Sequence, residues 1–423
     1  MLCAAVLVAL GVWQGEGYWE NSDGVYALSA RQLLDGQSLY EDFAAAQPPS
    51  LFYVAAGALA ISDSLAAIRV EMAVCRLAVS LLVLVAVWRL TRRRDAALVA
   101  ALVAFVTPWA LREHAQLLPE TVGAPLLMAA ALAASRRATS VLAGVLGAVA
   151  TTFKVAFLLP AAVIVLLGRH VRRGLVGLAV TLLAFVLTFL ATFGESLWTN
   201  VVVAQAQTGR ASLGYVSGLW AQGGWNALPM LVLAAIAWCR RDRLHDPDLV
   251  RSLLAACTAS LLLFLTLFKQ GSYLTVMVVM EPPLLSLAAG GVVVALSQGA
   301  QSGRRPRVRI ATVGVAALLL TAQAVSLLLA PANPRLFIRP FAQSGPARAL
   351  SSEAVRAASA AIRRCPAEAS YAGPPYLAFV ADHRIAGSQP DQFIIHEARA
   401  LSAFRVRADT DRPLCRATAA GRR

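Results

Sequence analysis

The sequence predicts an all-α polytopic membrane protein with about eleven transmembrane helices and a small extracytoplasmic α/β domain at its C-terminal end. Three observations carry this. The chain of 423 residues is 58% hydrophobic and only 14% charged, against roughly 25% charged in an ordinary soluble domain. Apolar runs of about 18 to 25 residues, each able to cross a hydrocarbon core of roughly 30 Å, recur along the chain and stop near Pro331. The arginines sit in short clusters between those runs. A mean hydropathy of +0.64 agrees, and a cytosolic globular protein is excluded. The net charge of +15 and pI near 10.4 would suggest nucleic acid in a soluble protein. Here the arginines read as topology signals, so the expected partner is the lipid bilayer and no nucleic acid.

Positive residues concentrate on the cytoplasmic side. The clusters are Arg92-Arg93-Arg94, Arg136-Arg137, Arg169 to Arg173, Arg240 to Arg243 and Arg304 to Arg309. If all are cytoplasmic, the spans between them come in pairs. These are Ala96 to Leu111 with Leu118 to Ala134, Val141 to Thr152 with Val155 to Leu167, Leu175 to Phe193 with Leu228 to Trp238, and Leu253 to Phe268 with Tyr273 to Leu296. A span from Val308 to Ala330 then puts the tail outside. Upstream, Val70 to Leu90 runs inward, so Gln14 to Arg69 lies outside and residues 1–13 enter from the cytoplasm. That first stretch is short and lacks a basic start, which implies a tilted span or a longer N-terminus. Leu51 to Ile61 is too short to span and reads as an interfacial or re-entrant helix. The expected organisation is a membrane module over 1–330, with 14–69 as its first outer loop, and an extracytoplasmic domain over 331–423. It belongs in the plasma (inner) membrane, N-terminus in and tail out. Richness in arginine and alanine suggests a GC-rich bacterial genome.

With that topology, the carboxylates before the tail fall mostly on the outer face: Glu16, Glu20, Asp23, Asp35, Glu41, Asp42, Asp63, Glu71, Glu113, Glu120 and Glu195. Exclusion from the arginine-rich side explains most of them. It explains Asp23 and Glu120 least, because both open otherwise apolar helical segments. The chain has two lysines, Lys154 and Lys269, and both stand at outer helix ends against the inside rule. Such a lysine either snorkels to the interface or presents a point charge to an anionic group such as a lipid phosphate. Glu281, in Met280-Glu281-Pro282-Pro283, reads as an intramembrane acid on a broken helix.

The first outer segment holds Trp19-Glu20-Asn21-Ser22-Asp23-Gly24-Val25-Tyr26, then Ala27, Ala30, Leu33 and Leu34 at helical spacing. It continues with Asp35-Gly36-Gln37-Ser38-Leu39-Tyr40-Glu41-Asp42-Phe43 and Gln47-Pro48-Pro49. The period fits a helix on the membrane surface, opened by Ser22 or Asp23 as N-cap and closed by Gly36. Capping alone would account for Asp23; the crowding of aromatic and acidic groups favours a site.

These residues resemble the GT-C superfamily of polytopic glycosyltransferases, in particular the protein O-mannosyltransferase and aminoarabinose transferase-like group, family 39. The Asp-x-x-Tyr of Asp23 and Tyr26, the Gly-x-x-Leu-Tyr-x-Asp of Gly36 to Asp42, and Pro48-Pro49 look like that group's first outer loop. Pro119-Glu120 is similar to its second acidic site, Thr152-Phe153-Lys154 to its Thr-Lys turn, and Lys269-Gln270-Gly271-Ser272-Tyr273 to the opening of a late helix. The resemblance covers most of 14–300. Two departures stand out. Many relatives carry a double acid where this chain has Ser22-Asp23, and a lysine before the Pro-Pro where it has Gln47.

The resemblance implies a polyprenyl-phosphate-linked sugar as donor and an acceptor hydroxyl on a protein, lipid or polysaccharide, with inversion at the transferred carbon. Asp23 is then the expected general base, assisted by Glu120, and Lys154, Lys269 and Arg210 hold the donor phosphate. Arg210 rests only on its place in the outer loop Gly194 to Asn226 among Trp198, Tyr215, Trp220 and Trp225, which read equally as interfacial aromatics. Tyr26, Tyr40, Asp42, His114, Tyr273 and Glu281 are further candidates for substrate contact. No Gly-rich phosphate loop or cytoplasmic domain serves a soluble nucleotide sugar. His114 beside Glu113 is a poor ligand set, so neither a metal nor another cofactor is expected.

The tail suggests a helix over Ala347 to Arg364, strands at Ser370-Tyr371-Ala372 and Tyr376 to Ala381, and a segment Gln392 to Leu401 after Pro390. Cys365 and Cys415 could pair in an oxidising compartment; the six cysteines show no metal spacing. The tail reads as a stabilising cap or as a cover for the site. The main competing class is a secondary transporter or a translocator of lipid-linked intermediates, whose internal repeat the sequence lacks. A non-catalytic scaffold leaves the outer acids and the two lysines unexplained.

Overall fold

The computed structural model describes residues 21–107, 116–207, 209–269, 274–301, 314, 352–387, 389–391 and 413–415. The expected spans at 1–13 and 308–330, and the segment Gln392 to Leu401, lie outside these. In chain order the described helices are α1 (Asn21–Leu34), α2 (Ser50–Ile61), α3 (Leu65–Thr91), α4 (Arg94–Val106), α5 (Pro119–Ala134), α6 (Ser140–Thr151), α7 (Leu158–Leu166) and α8 (Val171–Trp198). Then come α9 (Ala204–Gln207), α10 (Leu213–Cys239), α11 (Pro247–Leu263), α12 (Met277–Gln301), α13 (Ser352–Ile362) and α14 (Pro375–Ala381). The short strands β1 (Ser370–Tyr371) and β2 (Leu414–Cys415) pair in parallel. Four described stretches are long and apolar enough to cross a membrane: Leu65–Thr91, Val171–Gln207, Pro247–Phe268 and Leu274–Ser297.

Helix α3 fixes the scale. Arg69 and Arg89, both buried, stand on it about 30 Å apart by helical rise, the thickness of a hydrocarbon core. At the Arg89 end the arginine-rich loops gather. The Arg89 guanidinium donates to Asp246 Oδ2 (3.1 and 2.6 Å), Ser135 Oγ (2.8 Å) and the Leu132 carbonyl (3.2 Å). The His245 N–H donates to the Leu90 carbonyl at 2.9 Å, and Arg169 pairs with Asp248. Helix α8 leaves a broad apolar face uncovered, including Val176, Val180, Leu183 and Leu187, as a lipid-facing helix does.

Two apolar cores result. One joins α3 to α8 and α10 to α12 through side chains such as Val83, Leu127, Ile164, Leu253 and Leu284. The other sits at the Arg69 end and joins α1, α2, that end of α3 and residues 117–122 to α13 and α14 of the tail, through Tyr26, Phe43, Phe52, Met72, Leu117, Val355 and Phe379. The tail therefore shares its core with the first outer segment.

Three expectations need correction. Helix α1 does close at Gly36, which takes φ +84° and lets Gln37 N–H reach the Gln32 carbonyl at 3.0 Å. It does not lie open on a surface, however: Asp23 to Ala30 are buried, because α14 covers the face that α2 leaves free. Nor does Asp23 cap it; the helix already starts at Asn21, and Asp23 belongs to its first turn. Second, much of Gly194 to Asn226 is helical, not loop. Ser212 caps α10, accepting from Tyr215 N–H at 3.3 Å, and the small and aromatic residues that follow carry the helix into the bundle. Third, Tyr376 to Ala381 is helical, because Pro375 in the first turn of α14 is preorganised for a helix start.

Asp246 both caps α11, through Leu249 N–H at 3.0 Å, and answers Arg89. Asp246→Ala should destabilise the protein by about 3 kcal/mol, and Asp246→Asn, which keeps the cap, by about 1 kcal/mol less. Thermal unfolding in detergent measures the difference; equal losses would mean that the cap contributes nothing.

Candidate active site

The Arg69 end of the bundle brings two carboxylates into charged settings. Asp23, only 2% exposed, is gripped by Arg69: Nη1 to Oδ1 at 3.2 Å and Nη2 to Oδ2 at 2.6 Å. The backbone N–H of Leu117 donates to Oδ1 at 2.7 Å. A carboxylate offers about four lone-pair sites. These donors fill both on Oδ1 and one on Oδ2. Arg69 also hydrogen-bonds the Tyr376 side chain, which comes from α14 of the tail and is fully buried.

Leu117 precedes Glu120 by three residues, which limits the separation of the two sites to about 10 Å of chain. Proline at N1 starts α5 and sets Glu120 in its first turn, where the helix dipole favours an anion. Glu120 is buried; its Oε1 accepts from Lys154 Nζ at 2.5 Å and from Thr275 Oγ1 at 2.9 Å. Lys154 stands in the break between α6 and the 3-10 turn Val155–Phe157. Lys269 stands in the break between the 3-10 turn Phe264–Phe268 and α12. Arg210 lies beside Lys269 across an antiparallel bridge, with Ala211 N–H donating to the Phe268 carbonyl at 2.8 Å. Burial pushes the Lys269 ammonium down to about 8; the charge of Lys154 pushes the same way and Asp391 of the tail opposes it. Lys154, paired with Glu120, and Lys269, which feels its charge, are thus brought together from distant parts of the sequence, with Arg210 joined to Lys269 through the backbone.

The other candidates sit elsewhere. Tyr26 packs edge-on against Phe52, with ring centroids 5.8 Å apart. Tyr40 is buried at φ +71°, donates to the Gln47 carbonyl at 2.7 Å and meets Phe193 edge-on; burial holds its phenol well above the ordinary range, so it stays a donor. Asp42 Oδ2 accepts from Ser38 N–H at 2.7 Å. Tyr40 and Asp42 thus shape the loop before Pro48-Pro49. Glu281 is buried within the bundle, where its Oε2 accepts from Thr107 Oγ1 at 2.8 Å and its Oε1 has no hydrogen-bond partner among the described residues. Its nearest charge is Arg76, which stacks on Phe105 at 4.0 Å. Trp198 and Trp220 are exposed, Trp220 edge-on to Phe268. His114 and Tyr273 lie outside the described residues. Among the described residues no group of three or more His, Cys, Asp or Glu could hold a metal ion. Cys365 and Cys415 are disulfide-bonded, with Cα atoms 6.0 Å apart.

Sequence reasoning missed Arg69 and Tyr376. A signal for Arg69 was available: it breaks the inside rule at an outer helix end, as the two lysines do. Tyr376 carried none, because its approach depends on how the tail docks.

No family model and no curated protein matches the chain. Solved structures do. ArnT from Cupriavidus metallidurans bound to undecaprenyl phosphate aligns with a TM-score of 0.60 at 15% identity, over 98% of this chain and 88% of that one. ArnT from the same organism in the apo state aligns with a TM-score of 0.62 at 16% identity, over 96% and 88%. At this identity the likeness is one of fold. The chain thus shares the fold of these structures over nearly its whole length, and four of its described helical stretches are long and apolar enough to cross a membrane.

Arg69→Met leaves Asp23 buried without its countercharge and should cost about 4 kcal/mol of stability. Arg69→Met with Asp23→Leu should recover most of that loss in thermal unfolding. A single variant as stable as wild type would mean the pair does not form.

Proposed function

We propose that this protein is an inverting glycosyltransferase, which moves a sugar from a polyprenyl-phosphate donor to an acceptor hydroxyl on the extracytoplasmic face. One observation carries the reading: the half-buried lysines Lys154, paired with Glu120, and Lys269, which feels its charge, with Arg210 bridged to Lys269 through the backbone, while the Leu117 N–H three residues before Glu120 binds a second carboxylate, Asp23. Cations in a low-dielectric setting stabilise a departing phosphate. Undecaprenyl phosphate, the ligand named for one ArnT structure, has that chemistry, with a chain suited to the lipid-facing bundle. The kinship with family 39 rests on the motif order along the chain.

Inversion needs the attacking oxygen opposite the leaving phosphate. The base therefore belongs on the far side of the sugar from the cations. Glu120 is bound to Lys154 and orients that ammonium; Asp23, held by Arg69, is the better base. The acceptor hydroxyl meets Asp23 Oδ2 and gives up its proton as the new glycosidic bond forms. The bond from the anomeric carbon to the phosphate oxygen breaks, and the electron pair leaves with polyprenyl phosphate beside Lys154, Lys269 and Arg210. The sugar, hexose or pentose, and the acceptor remain to be assigned by assay.

The direct test is transfer of label from polyprenyl-phosphate sugars by purified wild-type and Asp23→Asn protein, with a membrane extract supplying acceptors. Asp23→Asn should lower the rate by about 10²- to 10⁴-fold; an undiminished rate would remove Asp23 from the mechanism. A second prediction concerns pH. Lys269 is cationic below about 8 and neutral above, so undecaprenyl phosphate should bind more weakly as pH rises through that value, by up to about tenfold per unit. Lys269→Arg should flatten this dependence. The same slope in that variant would assign it to another group.

A further inference from the structure

The described part of the tail touches the first outer segment at three places. Arg31 on α1 donates to the Phe379 carbonyl (3.0 Å) and Asp382 Oδ1 (3.2 Å), lies 4.1 Å from the Phe379 ring centroid, and pairs with Asp63. The Gln389 side chain accepts from Ala44 N–H (2.9 Å) and donates to the Asp42 carbonyl (3.1 Å). The third contact differs in kind. At Gly24, next to Asp23, α14 comes so close that a Cβ would stand 2.1 Å from the Tyr376 nitrogen and 2.3 Å from its Cα. Only glycine admits this approach, and it delivers the Tyr376 side chain to Arg69. Arg69 thus spends part of its guanidinium on Asp23 and part on the tail. A stabilising cap would need only the Arg31 and Gln389 contacts.

We propose that Tyr376 is a positioning residue for the transfer reaction: from the tail domain it holds Arg69, and through Arg69 it sets the angle of the Asp23 carboxylate. The tail is then a fixed part of the catalytic centre. Planar, bidentate pairing constrains both partners, so a guanidinium held by Tyr376 as well presents Asp23 Oδ2 in one direction. Loss of the tyrosine hydroxyl leaves the pair intact but free to rotate. The effect falls on the reaction step and not on donor binding, because Lys154, Lys269 and Arg210 are untouched. The inference rests on the assignment of Asp23 as base.

The experiment compares Tyr376→Phe, Arg31→Met and Asp23→Asn in the full-length protein. Transfer kinetics, undecaprenyl phosphate affinity and thermal unfolding are measured for each. Tyr376→Phe keeps the buried ring and should lower kcat about tenfold, the value of one hydrogen bond to a charged group, with KM for the lipid donor and the affinity within about twofold of wild type. Arg31→Met loosens docking without touching Asp23 or Arg69; it should lower the unfolding temperature more than Tyr376→Phe does and leave kcat nearer wild type. Should Tyr376→Phe fail to fold, Arg69→Lys, which keeps the charge but loses the fork, should reproduce the fall in kcat. Wild-type kcat in Tyr376→Phe alongside an inactive Asp23→Asn would overturn the inference alone. So would a change confined to KM, or wild-type kcat in a folded Arg69→Lys. An active Asp23→Asn would overturn the assignment of the base and the inference with it.

Discussion

A charge held in apolar protein must be answered by an opposite charge and by hydrogen bonds, and the bidentate pair of Arg69 with Asp23 meets that demand inside the core at the Arg69 end. Arg69 belongs to the long helix of the bundle, Asp23 to the first outer helix, Leu117 to the approach to the fifth helix, and Tyr376 to the tail. Four segments distant in sequence therefore converge on one carboxylate. Removing any of them leaves a buried polar group to be satisfied elsewhere. The same helix repeats the device at its other end, where Arg89 gathers Asp246, Ser135 and the Leu132 carbonyl. Between those ends its side chains are mostly apolar, with Glu71, Arg76 and Ser80 as exceptions.

This arrangement separates two electrostatic tasks. Asp23 is held still by a permanent countercharge of the protein. At the two lysines the acids met among the described residues are Glu120 and Asp391, and Lys269 loses some of its proton affinity to burial. Two cations so placed are poised for an external anion. A fixed carboxylate and a cation site, a few residues of chain apart, are the two halves that an in-line displacement at a phosphate-linked carbon requires.

Much of this was legible in the sequence, for definite reasons. Arginine clusters and run lengths gave the paired helices, since both express the thickness of a bilayer. Lys154, Lys269 and Glu120 were visible as breaches of the charge pattern, and Gly36 as a stop signal. Three things were not legible. The run from Tyr376 to Ala381 is too short to distinguish a strand's period from a helix's, and Pro375 was the cue that decided it. The glycine-rich opening of the helix at Leu213 has weak local propensity and forms by packing into the bundle. The approach of Tyr376 to Arg69 was hidden because it depends on how the tail docks across the fold.

The central claim is that sugar leaves a lipid phosphate and arrives on a hydroxyl with inversion. Its most direct measurement is the anomeric configuration of the product, read by NMR after the purified protein in lipid vesicles has consumed a polyprenyl-phosphate sugar of known configuration. The account predicts a glycoside of opposite configuration, formed together with free polyprenyl phosphate. Retained configuration, or donor carried across the vesicle with its sugar still attached, would contradict it.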